Sequence, residues 1–139
     1  MPTTTATLAI TNDIASYTTT SGVTMTLYKE DSATEGMDTL LSATKKLSSV
    51  SQVDLVASAS AGDATHNFLY INNPSTDVTE YFIITMGADA SGAPTVEEIG
   101  RLYGGDWMFI PWAAASTAYD IMIKPSVATE MTVEFMVFS

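Results

Sequence analysis

A chain of 139 residues with sixteen acids, five bases and no cysteine suits one domain with a real core. It can form no disulfide, thiolate nucleophile or cysteine metal site. A net charge of −11 repels phosphate backbones and argues against a nucleic-acid partner. Uninterrupted apolar runs reach four residues, or nine where Pro111 is counted within Trp107–Ala115, far short of the ~20 a transmembrane helix needs, so no membrane partner is expected.

The first 20 residues carry no Lys or Arg, and no secretory signal is recognisable. Residues 1–21 are Thr-rich. Leu8 and Ile10 alternate with Thr7, Ala9 and Thr11, which suits a short edge strand or an arm lying on a partner. Val23, Met25 and Leu27 alternate with Thr24, Thr26 and Tyr28 and read as a half-buried strand. Lys29 to Ser32 form a polar loop. Met37, Leu40, Leu41 and Lys45 stand at helical spacing, leaving room for one short helix near 35–46.

Val53 and Leu55 lead into small alternating residues over 56–61, and Gly62-Asp63 signals a turn. Phe68–Ile71 is a strand stopped by Asn72-Asn73-Pro74-Ser75. Tyr81–Met86 is apolar on both faces, as in a central strand, and Gly87–Pro94 is a loop. Val96–Tyr103 is the next strand. Gly104 and Gly105 can take positive φ, and a hairpin is expected to turn there into Trp107–Pro111. Trp107–Ile110 reads as buried on both faces, at the centre of the fold. Pro111 should end the pairing or mark a sheet edge. Ile121 and Ile123 share one face of a strand over 120–124. Glu130–Phe138 becomes apolar on both sides, so its second face should be covered in the domain or by another chain.

About eight strands at spacings of 10–20 residues predict an all-β fold: a single antiparallel β-sandwich, jelly-roll-like, over 22–139, with 1–21 as the arm or edge strand.

Little in the chain looks like a reaction centre. His66 is the single histidine and lies in no nucleophile motif. Glu97 and Glu98 are adjacent and would face opposite sides of a strand. No catalytic, cofactor or metal residues are expected, although Asp63, Asp77 or Asp89 with loop carbonyls leaves a calcium site open. Tyr103, Trp107, Phe109 and Trp112 form an aromatic cluster. Trp107 and Phe109 are read as packing. Trp112, after the strand-ending Pro, and Tyr103 are read as contact residues.

Gly105-Asp106-Trp107-Met108-Phe109-Ile110-Pro111 resembles the second sequence motif of cupins, which implies a turn feeding a jelly-roll strand. The Gly and metal-binding His that follow in that family are missing here, and His66 has no partner for the first motif. Cupin metal chemistry is therefore not implied.

The chain as a whole resembles small structural proteins of tailed-phage virions, above all capsid decoration (cement) proteins. The features that carry the resemblance are a Cys-free β domain, abundant Thr, Ser and Ala, an acidic surface, the segment Thr3-Thr4-Thr5-Ala6-Thr7-Leu8, and the run Ile99–Trp112. It implies a non-enzymatic protein, made in the host cytoplasm and bound to the capsid exterior. Its partners would be copies of itself, a trimer above all, and a major capsid protein. Residues 2–12 would add a strand to a neighbour, with Thr4, Thr5, Leu8, Ile10, Tyr103 and Trp112 in contact. A carbohydrate- or receptor-binding module of a tail or fibre, stacking Tyr103 or Trp112 on sugars, is the alternative, as is another head or tail component.

Overall fold

Alternating apolar and polar residues make strands, and among the described residues they make ten. The computed structural model describes residues 4–12, 19–27, 40–61, 65–87 and 97–139. The strands are β1 (Thr4–Asn12), β2 (Thr19–Leu27), β3 (Leu40–Leu47), β4 (Val53–Val56), β5 (Asn67–Asn72), β6 (Tyr81–Gly87), β7 (Glu97–Tyr103), β8 (Trp107–Trp112), β9 (Asp120–Pro125) and β10 (Met131–Phe138). Two single 3-10 turns, Ser58–Ser60 and Thr117–Tyr119, are the helical pieces among the described residues. None of the described helices is long and apolar enough to cross a membrane.

The chain divides into two compact units, 1–38 and 39–139. In the first, β1 and β2 form a two-stranded antiparallel sheet paired along all nine residues of each, from Thr4 opposite Leu27 to Asn12 opposite Thr19. The sequence reading placed a boundary at 21/22. The unit boundary falls at 38/39 because β2 pairs with β1.

The second unit is the sandwich. One sheet has the order β3-β10-β5-β8 and the other β4-β9-β6-β7. Pairings nest as β3 with β10, β4 with β9, β5 with β8 and β6 with β7, all antiparallel, and β10–β5 and β9–β6 knit the sheets. A long folded ribbon rolled into two four-stranded sheets is a jelly roll. Its core is filled by Leu69, Ile71, Phe82, Ile84, Ile121, Ile123, Val133 and Val137, each at most 2% exposed. The all-β antiparallel sandwich expected from the sequence is the fold.

Three local expectations are corrected. Residues 40–46 are strand, not helix, and 35–39 lie outside the described residues. β3 is an edge strand exposed over 40–44 and buried at Leu47, so it carries no period-two signal. Lys45 leans inward, and its Nζ donates to the Asp54 main-chain oxygen of β4. An inward charge on an edge strand discourages pairing with another chain.

Gly104-Gly105 does not make a hairpin. β7 and β8 belong to different sheets, so the glycines turn a corner of the sandwich. Asp106 N–H donates to Tyr103 O at 2.8 Å, and Gly105 alone of the pair has positive φ, +87°. Positive φ at the second central residue suits a type II turn, not a primed hairpin turn. Buried Asn73 pins the corner: its N–H donates to Asp106 O, its carbonyl accepts from Gly105 N–H, and its Nδ2 donates to Leu102 O at 3.0 Å.

β8 is not the centre of the fold. It is an edge strand, the place where a sheet tolerates a proline. Met108, Ile110 and Trp112 turn to the core, while Trp107, Phe109 and Pro111 alternate to the outside.

Candidate functional site

The outer face of the β3-β10-β5-β8 sheet is where this fold departs from a plain sandwich. An antiparallel sheet with one face on the core normally turns polar side chains to water on the other. Strand register sets out three rows on that face. Thr44, Glu134, Asn72 and Trp107 lie across the first, Ser42, Met136, Tyr70 and Phe109 across the second, and Leu40, Phe138, Phe68 and Pro111 across the third.

The rows run from polar to apolar. In the first, Asn72 Nδ2 donates to Glu134 Oε2 at 3.0 Å, and Trp107 is 48% exposed with its ring 6.2 Å from Tyr70, tilted by 36°. In the others, Phe68 and Phe109 stack with centroids 5.4 Å apart and planes 7° apart. Phe138 meets Phe109 edge-on at 6.4 Å. Half-buried His66 sits 5.5 Å from Phe68. Leu40, at 58% exposure, ends the third row.

Four strands ~4.8 Å apart and three rows ~6.8 Å apart span roughly 400 Å², of which the eight apolar or aromatic of the twelve positions cover about 270 Å². That is close to the lower end of the range of the largest, often functional, apolar patch on a monomer. Ring-on-ring packing (~0.5–1.5 kcal/mol per pair beyond burial) holds the side chains flat and in place. The face is a preformed platform of Phe, Tyr, Trp and Met, the residue types enriched where proteins meet.

The residues expected to make contacts are distributed differently. Trp112 is 3% exposed, packed in the core, and its Nε1–H donates to Tyr119 O at 2.8 Å. It is no surface contact, because β8 alternates and position 112 falls on the inner side. Trp107 and Phe109, read as packing, are on the outside. Tyr103 is exposed, at 41%, on the other sheet, where its ring lies 5.0 Å from Tyr81 and the Arg101 guanidinium sits 5.3 Å over Tyr81. A hydrogen bond to Glu98 at 3.0 Å, then its charge, holds the Arg101 guanidinium above its ordinary value. Thr4, Thr5, Leu8 and Ile10 are in β1, each opposite a residue of β2 in the same chain.

Of the proposed calcium ligands, Asp63 and Asp89 lie outside the described residues. Asp77 is exposed, and its Oδ1 accepts from the Thr79 hydroxyl at 2.6 Å and N–H at 2.8 Å. Those bonds, the hydroxyl first, keep its carboxyl below the ordinary value. No group of three or more metal-binding side chains gathers among the described residues. A cleft between Pro74, Ser75, Glu80 and Glu130–Thr132 is acidic. Its two carboxylates accept from Ser75 Oγ at 3.3 Å and Lys46 Nζ at 2.7 Å.

Met136 and Phe138 belong to the strand end whose second apolar face was expected to need cover, whereas Phe68 and Tyr70 were not singled out from the sequence. The signal was there: 67–72 and 135–138 each place large apolar residues on both faces of a strand, and a sandwich covers just one.

No family model and no curated protein matches this sequence. Among solved structures, the chain is similar to the Yersinia pseudotuberculosis-derived mitogen (YPM), at 15% identity over 72% of this chain and 85% of that one, with a TM-score of 0.44. At that distance the likeness carries no functional argument.

Proposed function

We propose that this chain is a non-enzymatic structural protein of a phage particle, a capsid decoration protein, and that it grips its partner with the outer face of β3-β10-β5-β8. The observation that supports this reading is the aromatic platform: six large apolar side chains, Phe68, Tyr70, Trp107, Phe109, Met136 and Phe138, on the side of a sheet that should be wet. At about a third of the ~800 Å² each partner gives to a standard interface, the platform is the central anchor of a larger contact. A trimer on the capsid exterior would repeat it over the shell, and a net charge of −11 keeps the protein on the far side from packaged DNA. Jelly rolls serve viral capsids and lectins alike, so the weight rests on the face and not on the fold.

The test mixes purified protein with shells of its own phage that lack it. Full occupancy by the parent and at least a tenfold loss with Phe109→Asp/Phe138→Asp is the expected outcome. Unchanged occupancy of the double variant rejects the platform as the grip. Both positions lie on the outer face, so the sandwich should stay folded by circular dichroism.

One observation favours a second reading, a carbohydrate-binding module. Exposed Trp107, tilted on Tyr70 beside the Asn72–Glu134 pair, offers a ring to stack on a sugar and polar groups to orient it. Glycan-array binding that disappears in Trp107→Ala, with no affinity for the shell, would favour it. Trp112→Ala is no substitute test, because Trp112 is in the core.

A further inference from the structure

The two sheets of the sandwich have four edge strands, β3 and β8 in one and β4 and β7 in the other. An open edge is a template for another strand, and proteins block it with charge, bulges or shortness. β3 carries Lys45, turned inward, and Lys46. β4 is four residues long, with a break in register after Asp54. β7 carries Glu97, Glu98 and Arg101, and its register shifts against β6. β8 has no charge and no shift along its pairing with β5. Its one block is Pro111, near its end.

The ladder shows which groups β8 leaves open. In an antiparallel pair, hydrogen-bonded and non-hydrogen-bonded residue pairs alternate. Asn73 N–H donates to Asp106 O. Counting by twos along the register, the residues of β8 that bond to β5 are Met108, Ile110 and Trp112. Pro111, with no N–H to give, falls in the other set. Trp107, Phe109 and Pro111 therefore turn their main chain away from β5, with two N–H and three C=O groups along the free edge. No hydrogen bond to these groups is present among the described residues. The side chains beside them are open as well. Trp107 and Pro111 are exposed and Phe109 half-buried on the platform side, and Met108 and Ile110 are half-buried on the core side.

A row of outward N–H and C=O groups is completed by another extended main chain. We propose that the particle partner adds an extended segment to the free edge of β8, as a fifth strand of the β3-β10-β5-β8 sheet. This mode of contact rests on the platform reading above and adds how the partner meets the sheet. Five residues at ~3.4 Å give an edge about 17 Å long, and Pro111, which offers an acceptor and no donor, ends it. The edge also sets the chemistry of the segment. Its side chains would lie beside Trp107, Phe109 and Pro111 on one side and Met108 and Ile110 on the other, so it is uncharged and apolar on both. Main-chain bonds supply the affinity, and the flanking side chains select the segment.

Two measurements on the full chain, with shells of its own phage that lack it, are the test. The first is amide hydrogen exchange. In the free protein Met108 and Ile110, bonded to β5, should be protected, while Trp107 and Phe109 exchange freely. On occupied shells the Trp107 and Phe109 amides should slow at least tenfold. The second compares Phe109→Ala with Phe109→Pro. Both lose the ring, and proline alone loses the outward N–H, a donor the sandwich does not use. The two should melt at similar temperatures. Phe109→Pro should bind shells at least fivefold more weakly than Phe109→Ala, because an acceptor of the partner is left without its donor. If the proline variant melts early, the exchange measurement on the parent decides alone. Equal binding by the two variants overturns the proposal and leaves the platform in place, as do Trp107 and Phe109 amides that exchange on the shell as they do in solution. A parent that dimerises without shells, with the dimer kept in Phe109→Ala and lost in Phe109→Pro, puts a second copy on the edge and also overturns it. Failure of the platform is a separate result, full occupancy by Phe109→Asp/Phe138→Asp, and it removes the reading on which the added strand rests.

Discussion

Trp112→Ala should lower the stability of the sandwich by about 3–5 kcal/mol from emptying a large core site, a large fraction of a total that is typically about 5–15 kcal/mol. The indole is 3% exposed among the core side chains of the sandwich. Its Nε1–H satisfies Tyr119 O, at the 3-10 turn Thr117–Tyr119 that leads into β9. Deleting it leaves a cavity and removes that donor. Trp112→Phe separates the two effects: most of the ring volume stays, the hydrogen bond goes, and the loss should fall to about 1–3 kcal/mol. Urea denaturation followed by circular dichroism measures both. If Trp112 were a surface contact, Trp112→Ala would instead leave the midpoint within about 0.5 kcal/mol of the parent, the usual range for surface substitutions.

Gly104→Ala should cost about 3 kcal/mol or more, and lower the melting temperature by roughly 10–20 °C for a domain near 100 residues. The cause is room, not φ. A Cβ on Gly104 would run into the Asp77 carbonyl oxygen and lie 2.8 Å from the Asp77 carbonyl carbon and 2.9 Å from Ser75 O. All three are backbone atoms of the loop that wraps the corner, and Gly104 N–H is tied to Glu80 O at 3.1 Å. Overpacking costs ~1–3 kcal/mol when side chains can yield, and here main chain must move. Gly105→Ala is the contrast. Its Cβ would meet nothing within 4 Å, so the cost is the ~1–2 kcal/mol of holding an L-residue at positive φ. Thermal melts of the two variants should therefore rank Gly104→Ala well below Gly105→Ala. The reverse order would mean that the corner opens easily.

The two glycines also show what a sequence conceals. Gly-Gly between two apolar runs reads as a hairpin, because neighbouring strands usually pair. Nothing local reports that β7 and β8 lie in opposite sheets. That depends on β5 and β6, more than 15 residues upstream, having claimed those strands. The sandwich itself was legible because β5, β9 and β10 carry residues that must be buried at period two. β3 was not, because an edge strand exposed over 40–44 has no face to hide and its leucines fall at helical spacing by chance. The platform was half legible. The apolar second face of 135–138 demanded cover, but seeing that Phe68, Tyr70 and Phe109 join it requires the β8-β5-β10 register. Trp112 and Trp107 exchanged roles for one reason: β8 was read as buried on both sides, so its alternation was not used.

The nested pairing has a consequence for how the chain is made. The innermost pair, β6 with β7, closes across residues 88–96, whereas β3 and β10 join residues nearly the whole unit apart, Leu40 to Phe138. Loop-closure entropy favours the short connection, so the sheets should zip outward from β6-β7. β10 lies between β3 and β5, and until it arrives neither has its neighbour there. On the ribosome, β3 and β5 therefore wait with open edges and uncovered apolar residues until residues 131–138 emerge. The sandwich is thus completed only when β10, the last strand of the roll in chain order, closes the sheet begun by its first.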